Sequence, residues 1–312
     1  FAGMVFNLLY NIGSSILRAI GDSRRPLYIL IVCTLTNLVL DLAFVLLFHM
    51  GVAGAGLATI LSQAISALLV LYFLSRSNEC YKLTVRKIRF HSDILRHIIK
   101  IGLPAGIQSS MFCISNIIIQ STINTFGTDT MAAWTAYGKI DSVFWMLMSA
   151  FGISITTFSG QNFGCGKLDR VKKSVRISLA MALGSSMLLS AILLLLGQYI
   201  FLLFTDDGNV LELGVHILRT LVPFYATYVL VEVLSGAIRG TGESLRPMLI
   251  SGFGICVLRI VWITCFLGAD SHLNMVLYSY PISWAFTSLL FLIYYLRGNW
   301  LKKRIYETSL SL

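Results

Sequence analysis

The sequence predicts an all-α polytopic membrane protein with two six-helix lobes related by a parallel repeat. Composition is the first observation behind this prediction. Hydrophobic residues make up 56% and charged residues 12% of the 312-residue chain, whereas a soluble domain has roughly 25% charged residues. The mean hydropathy of +0.80 also indicates a lipid environment. The other two observations are the lengths of the apolar runs and a motif that occurs twice.

Nine apolar runs separated by turn residues predict about nine membrane helices, since a span takes about 20 residues. Gly, Asp and Ser dominate the breaks, for example at 21–23, 160–166 and 206–208. In chain order, the predicted helices cover 1–20, 26–49, 53–75, 97–126, 134–162, 174–204, 210–238, 246–268 and 275–297.

One basic turn motif occurs twice, 221 residues apart. Arg18-Ala-Ile-Gly-Asp-Ser-Arg-Arg-Pro26 recurs as Arg239-Gly-Thr-Gly-Glu-Ser-Leu-Arg-Pro247, and each copy leads into two long apolar runs. Internal repeats of this kind are typical of secondary transporters. Because the offset spans six helices, both copies start on the same membrane side, and the repeat is parallel. Residues 1–76 hold only the end of a first copy, so we expect an N-terminally truncated chain that lacks about 140 residues.

Basic residues predict the orientation. Alternate connections hold 21 of the 24 Lys and Arg, and the connections between them hold none. The basic side is cytoplasmic by the positive-inside rule. We therefore expect a multi-pass protein of the bacterial inner membrane (the plasma membrane) with a cytoplasmic C-terminus. The net charge of +10 then indicates contact with anionic membrane lipids and not with nucleic acid.

The repeat and the charge pattern divide the chain into four parts. Residues 1–76 form the remainder of the N-terminal lobe, with the end of helix four and helices five and six. Residues 77–96 are a basic cytoplasmic linker, 97–300 form the C-terminal lobe with helices seven to twelve, and 301–312 are a cytoplasmic tail.

Asp41 is the clearest functional candidate, because ionisable groups at bilayer depth are costly and usually functional. It lies about 22 Å along its helix from Pro26, at 1.5 Å per residue. Asn37, four residues earlier, shares its face. Their oxygens suit a hard cation such as Na⁺, and the carboxylate can also take up a proton. The alternative is a helix-packing pair. The second copy has Leu258 and Trp262 at these positions.

Four other polar residues are candidates for a substrate cleft. Gln108, Asn116 and Gln120 share one helix face, where they either line a cavity or form hydrogen bonds between helices. Glu232 lies two turns before Arg239, where it either carries protons or neutralises a nearby basic residue.

Three charged residues inside predicted helices need an account of their partners. Arg259 lies in mid-helix and requires a partner from another helix, for which Glu232 and Asp141 are candidates. Lys139 and Asp141 point apart because they are only two residues apart on one helix.

The sequence provides no catalytic constellation, so we expect a protein that is not an enzyme. Gly164-Cys-Gly-Lys167 lacks the spacing of a nucleotide-binding loop, and the six cysteines are scattered and form no metal-binding pair. We expect no cofactor, and no metal beyond a possible Na⁺ site, with Na⁺ or H⁺ as the coupling ion.

Several motifs together resemble the multidrug and toxic compound extrusion (MATE) family. They are the paired turns Ile16–Ser23 and Ala237–Ser244, and the segments Gly51–Gln63, Ile101–Gly106 and Thr157–Gly164. The resemblance implies twelve helices in two lobes around a central substrate cleft, of which this chain holds helices four (in part) to twelve. It also implies a monomeric antiporter that exports small organic cations, drugs or metabolites in exchange for Na⁺ or H⁺.

The resemblance also implies a coupling site. In one branch of the family, an Asn and an Asp on helix five, a Thr on helix six and an Asp on helix one hold the cation. Asn37, Asp41 and Thr59 match that spacing, and we expect the helix-one Asp in the missing segment. Another branch uses acidic residues on helices seven and ten. The matching positions here are Phe112 and Tyr228, so the chain departs from that second pattern.

Two other functions remain open at this stage. A lipid-linked oligosaccharide flippase shares the general architecture but needs a strongly cationic cleft, and only Lys139, Arg219 and Arg259 lie outside the cytoplasmic basic set. A membrane scaffold without transport activity is the other alternative for a truncated chain.

Overall fold

The computed structural model describes residues 1, 3–79, 81–266 and 272–297. In these ranges, eleven α-helices form nine continuous rods, one for each predicted run. The helices are α1 (Met4–Ala19), α2 (Arg24–Leu42), α3 (Gly51–Arg76), α4 (Ser92–Asn124), α5 (Thr128–Gly164), α6 (Leu168–Phe201), α7 (Gly208–Leu221), α8 (Tyr225–Gly240), α9 (Leu245–Ser251), α10 (Leu258–Phe266) and α11 (Leu273–Leu296).

Three of the rods contain irregular turns. A 3₁₀ turn over Val222–Phe224 joins α7 to α8, and a π-helical segment over Gly252–Val257 joins α9 to α10. A second π-helical segment, Ala43–Leu47, extends α2. Within the described ranges, eight of the rods are long and apolar enough to span a membrane. The all-α prediction is therefore confirmed.

The chain divides into two compact units at His91 and Ser92. The predicted linker, 77–96, overlaps this boundary: its last five residues already belong to α4, which begins at Ser92. Asp93 in the first turn favours that start, because a carboxylate there interacts well with the helix dipole. The predicted tail, 301–312, lies outside the described residues.

In the first unit, α1 and α3 run in the same direction. A Cβ added to Gly3 would lie 2.6 Å from the side chain of Gln63, and one added to Gly13 would lie 2.8 Å from Val70. The helices therefore approach closely at two levels.

The second unit is built around α5 and α8. The hydroxyl of Thr156 donates a hydrogen bond to the carbonyl of Gly236 across this contact, at 3.0 Å. One turn later, a Cβ on Gly240 would lie only 2.5 Å from the carbonyl oxygen of Thr156. The two helices can approach this closely only because small residues face each other. Around them lie fully buried aromatic side chains such as Phe144 and Trp284.

The repeat is visible in the backbone of the two units. Shifting α1 by 221 residues gives the bounds of α8, and the same shift moves the start of α2 to the start of α9. Gly21 and Gly242, at the end of the repeated turn, both have positive φ, 91° and 83°.

The repeat also extends to a side-chain contact. The guanidinium of Arg25 lies 5.9 Å from the ring centroid of Phe73 in the first unit. At the same offset in the second unit, Arg246 lies 5.4 Å from the ring of Tyr294 and donates a hydrogen bond to its hydroxyl at 2.5 Å.

Candidate functional site

Asn37 and Asp41 lie one turn apart on the half-buried face of α2, as their spacing predicts. The Nδ2 atom of Asn37 and the Oδ1 atom of Asp41 are both buried without a hydrogen-bond partner. Buried polar atoms are rarely left unpaired, and each such atom requires an explanation. Here two of them, from an amide and a carboxylate, occur on the same helical face.

This face of α2 packs against α3 in the antiparallel direction. The thiol of Cys33 donates to the carbonyl of Ser62 at 3.4 Å, before Asn37 along α2. Beyond Asp41, Phe44 lies beside Gly54, where an added Cβ would be 2.9 Å from that of Phe44. The polar pair therefore lies against the stretch of α3 between residues 54 and 62.

Thr59 falls within this stretch of α3 but is not bonded to the pair. Its side chain is exposed, and its hydroxyl donates to the carbonyl of Ala55 at 2.9 Å, within its own helix. The structure thus places Asn37 and Asp41 on one face of α2. Thr59 lies in the stretch of α3 that packs against this face, but its hydroxyl is bonded to Ala55 of its own helix.

A cavity of about 520 Å³ lies within the second unit. Two of the predicted cleft residues, Asn116 and Gln120, line it, together with the charged residues Asp141 and Arg259. The rest of the wall is largely aromatic. The aromatic lining residues are Phe112, Trp134, Trp145, Tyr228, Tyr280 and Trp284.

The other two predicted cleft residues, Gln108 and Glu232, line a separate cavity of about 150 Å³. Phe112 and Tyr228 contribute to both cavities. The four candidates are therefore divided between two neighbouring cavities of one unit.

Glu232 is paired in this smaller cavity. Its carboxylate lies 3.7 Å from the guanidinium of Arg239 and accepts a hydrogen bond from the Tyr228 hydroxyl at 3.3 Å. Of the two roles considered from the sequence, neutralising a nearby basic residue therefore matches the observed contacts. A Cβ on Gly152 would collide with the Glu232 carboxylate, so the absence of a side chain at position 152 makes room for the acid.

Asp141 points into a hydrogen-bonded aromatic cluster. Its Oδ1 atom accepts hydrogen bonds from Tyr225 at 2.5 Å and from Tyr137 at 3.2 Å, and its Oδ2 atom accepts one from Trp145 Nε1 at 2.6 Å. Both oxygens are therefore satisfied by protein donors. Lys139 is exposed and lies outside this cluster, as the two-residue spacing predicts.

Arg259 has neither of its predicted acidic partners. Its side chain is only 3% exposed, yet among the described residues no carboxylate lies within ion-pair distance. It instead stacks 4.0 Å above the ring of Tyr280 and donates one hydrogen bond to Ser283 at 3.2 Å, while its Nε has no partner. The prediction was wrong because Glu232 is paired with Arg239, and Asp141 with its three donors.

The family of the chain follows from comparison with known proteins. A sequence model of the family described as MatE matches residues 1–43 and 104–264, more than half of the chain. The chain belongs to the MatE family. The resemblance drawn from the motifs is therefore confirmed, and this MatE protein is a multi-pass membrane protein.

Two similar relatives have names that describe drug resistance. The probable multidrug resistance protein YpnP of Bacillus subtilis is 28% identical over 98% of this chain and 68% of its own length. The probable multidrug resistance protein NorM of Thermotoga maritima is 26% identical over 94% and 64%. The MatE chain thus spans about two thirds of the length of these relatives. Neither name favours the flippase alternative.

A solved structure supports the fold. A MATE protein in the bent conformation superposes on this MatE chain with a TM-score of 0.88, at 23% identity, over 97% of this chain and 68% of that one. At 23% sequence identity, this structural similarity is evidence for the fold only.

Sequence reasoning about this MatE chain missed the surroundings of Asp141 and Arg259. A signal was present for Asp141, because Tyr137 and Trp145 stand four residues before and after it, on the same helix face. For Arg259 the partners Tyr280 and Ser283 come from α11, and no local spacing in the sequence indicates them.

Proposed function

We propose that this MatE protein acts in a secondary active transporter of the plasma membrane, which exports small organic molecules in exchange for Na⁺ or H⁺. Asn37 and Asp41 form the core of its cation-coupling site. The observation that carries the proposal is the buried, unpartnered Oδ1 atom of Asp41, one helical turn from the Asn37 amide on the packed face of a membrane helix.

The chemistry of the pair suits a small cation. Na⁺ takes carboxylate and carbonyl oxygens as ligands, and Asp41 and Asn37 offer both kinds within one helical turn. The unbonded Asp41 oxygen suits a proton equally well. Either cation would remove the free-energy penalty of an unbalanced buried carboxylate in lipid. Thr59 is the nearest candidate for a further oxygen ligand, after rotation of its hydroxyl away from Ala55.

The backbone next to the site supports a conformational response. The π-helical segment Ala43–Leu47 begins two residues after Asp41. Such segments interrupt the regular hydrogen-bond pattern, bend helices and occur often at functional sites. Binding of a cation at Asp41 would therefore shift the conformation of this segment of α2 at small energetic cost. The shifted conformation of α2 would favour release of the substrate.

Transport by the full-length protein in proteoliposomes tests the proposal. A fluorescent organic cation is loaded into the vesicles, and its efflux is followed under an inward Na⁺ gradient, an inward H⁺ gradient, or neither. We expect one gradient to accelerate efflux, and Asp41→Asn to abolish that acceleration. Asn37→Ala should weaken it, and Thr59→Ala should weaken it less.

Asp206→Asn is the matched control, because it makes the same chemical change at an exposed carboxylate outside the helices. It should transport like the wild type. Gradient-driven efflux that survives Asp41→Asn would exclude this coupling site. If neither gradient drives efflux in the wild type, with this cation or with an anionic fluorophore, the antiporter function itself is rejected.

A further inference from the structure

Arg259 makes the 520 Å³ cavity of the second unit unusual. The guanidinium is buried at the cavity wall, stacked on Tyr280, with one hydrogen bond to Ser283 and with Nε unpartnered. A guanidinium has five N–H donors in a planar fork that matches carboxylate and phosphate oxygens. In the part of the chain that the structure describes, no acidic side chain completes this fork.

Asp141 lines the same cavity but does not serve as the counter-ion. Its two oxygens already accept hydrogen bonds from Tyr225, Tyr137 and Trp145, and it lies beyond ion-pair distance of Arg259. Glu232, the other nearby acid, is engaged by Arg239. A buried charge without a partner is strongly unfavourable. Among the described residues, the structure therefore provides a buried cationic group without an acidic partner at the wall of a cavity.

The remaining walls indicate what kind of molecule brings the anion. Half of the cavity lining is aromatic, including Trp134, Trp145 and Trp284, and planar rings stack well on such surfaces. Asn116 and Gln120 add amide groups on one side. The volume falls in the range of small-molecule sites, about 300–1,000 Å³.

We infer that the cavity in the second unit binds an aromatic organic anion, with its carboxylate or phosphate on Arg259 and its ring among the tryptophan and tyrosine side chains. This assignment concerns the substrate of the proposed transporter and gives it an anionic class. The binding itself does not depend on ion coupling, so the two proposals can fail separately.

Calorimetric titration of the full-length protein in phosphatidylcholine nanodiscs tests the inference with riboflavin 5′-phosphate and riboflavin. These two probes share one ring system and differ by the phosphate. We expect the phosphate form to bind at least about tenfold more tightly, since a hydrogen bond to a charged group contributes about that much. Arg259→Gln should weaken its binding at least about 30-fold and leave riboflavin unchanged. Arg259→Lys should restore part of the affinity.

Arg219→Gln is the matched control, because it makes the same change at an exposed arginine of α7 that does not line this cavity, and it should retain the preference for the phosphate form. Thermal unfolding and gel filtration of each variant establish that it is folded. Equal affinity for the two probes, unaltered phosphate binding in Arg259→Gln, or no binding of the phosphate form to a folded wild type would each overturn the inference. Failure of gradient-driven efflux would reject the coupling proposal and leave this binding result standing.

Discussion

The hydroxyl of Tyr225 on α8 lies 2.5 Å from the Oδ1 atom of Asp141 on α5. The ring of Tyr225 also stacks on Phe144, with centroids 3.9 Å apart. A single side chain thus joins the two central helices of the second unit through both a charge-assisted hydrogen bond and an aromatic contact. These helices also contribute Trp134, Asp141, Trp145 and Tyr228 to the wall of the larger cavity.

Tyr225→Phe should destabilise the protein by roughly 1.5–3 kcal/mol, because it removes one of three donors to a buried carboxylate and keeps the ring. Thermal unfolding in detergent measures the loss. Tyr199→Phe, on a tyrosine that is 70% exposed on α6, is the matched control and should be neutral. Equal stability of the two variants would show that the Asp141 hydrogen bonds contribute little.

Gly240→Ala should destabilise the protein by about 1–3 kcal/mol, because the added methyl meets the backbone carbonyl of Thr156, which cannot move without separating α5 from α8. Gly184→Ala on α6 is the control. No atom lies within 4 Å of its added Cβ, so the higher helix propensity of alanine should stabilise the protein by up to about 1 kcal/mol. Chemical unfolding curves of the two variants should shift in opposite directions.

Gly21→Ala and Gly242→Ala should each destabilise the protein by roughly 1–2 kcal/mol, since alanine is strained at positive φ. The similar angles predict similar penalties in the two copies of the turn. Gly56→Ala, at a glycine without positive φ and with open space around its Cβ, is the control. Destabilisation by only one of the two turn variants would contradict the structural equivalence of the copies.

The basic loops should face the cytoplasm. In a cysteine-free background, a cysteine at Arg86 should react with an impermeant maleimide only after the cells are opened, whereas one at Asn209 should react in intact cells. Arg86 lies in the basic connection between α3 and α4, Asn209 lies in the first turn of α7 directly after an acidic connection, and both are exposed. Labelling of Arg86→Cys in intact cells would reverse the assigned orientation.

Much of the fold could be predicted from the sequence, because lipid exposure forces long apolar runs whose ends carry turn residues. The predicted starts were late for helices whose first turns are polar. α5 begins at Thr128, six residues before its apolar run, and α6 begins at Leu168, within a basic stretch. Polar residues in these first turns hide the helix from a search for hydrophobicity alone.

The candidate sites were predictable only where they depend on one helix. The common face of Asn37 and Asp41 follows from their four-residue spacing. Glu232 fits this rule, because its partners Tyr228 and Arg239 lie on its own helix, α8. The partners of Arg259 come from α11 and depend on which helices are neighbours and at what height their side chains meet. That relation is not present in local spacing, so the predicted pairing of Arg259 with an acid failed.

The repeated scaffold has consequences for how the two copies can evolve. The first copy of the repeat carries Asp41. In the second copy the equivalent position is Trp262, and Arg259 lies within one helical turn of it. Asp41 and Arg259 each lie within two residues of a π-helical segment. The duplicated scaffold thus carries ionisable groups of opposite sign in its two copies. In the proposed transporter, selection for a new substrate acts on the surroundings of the arginine, and the proposed cation site at the aspartate keeps its driving ion.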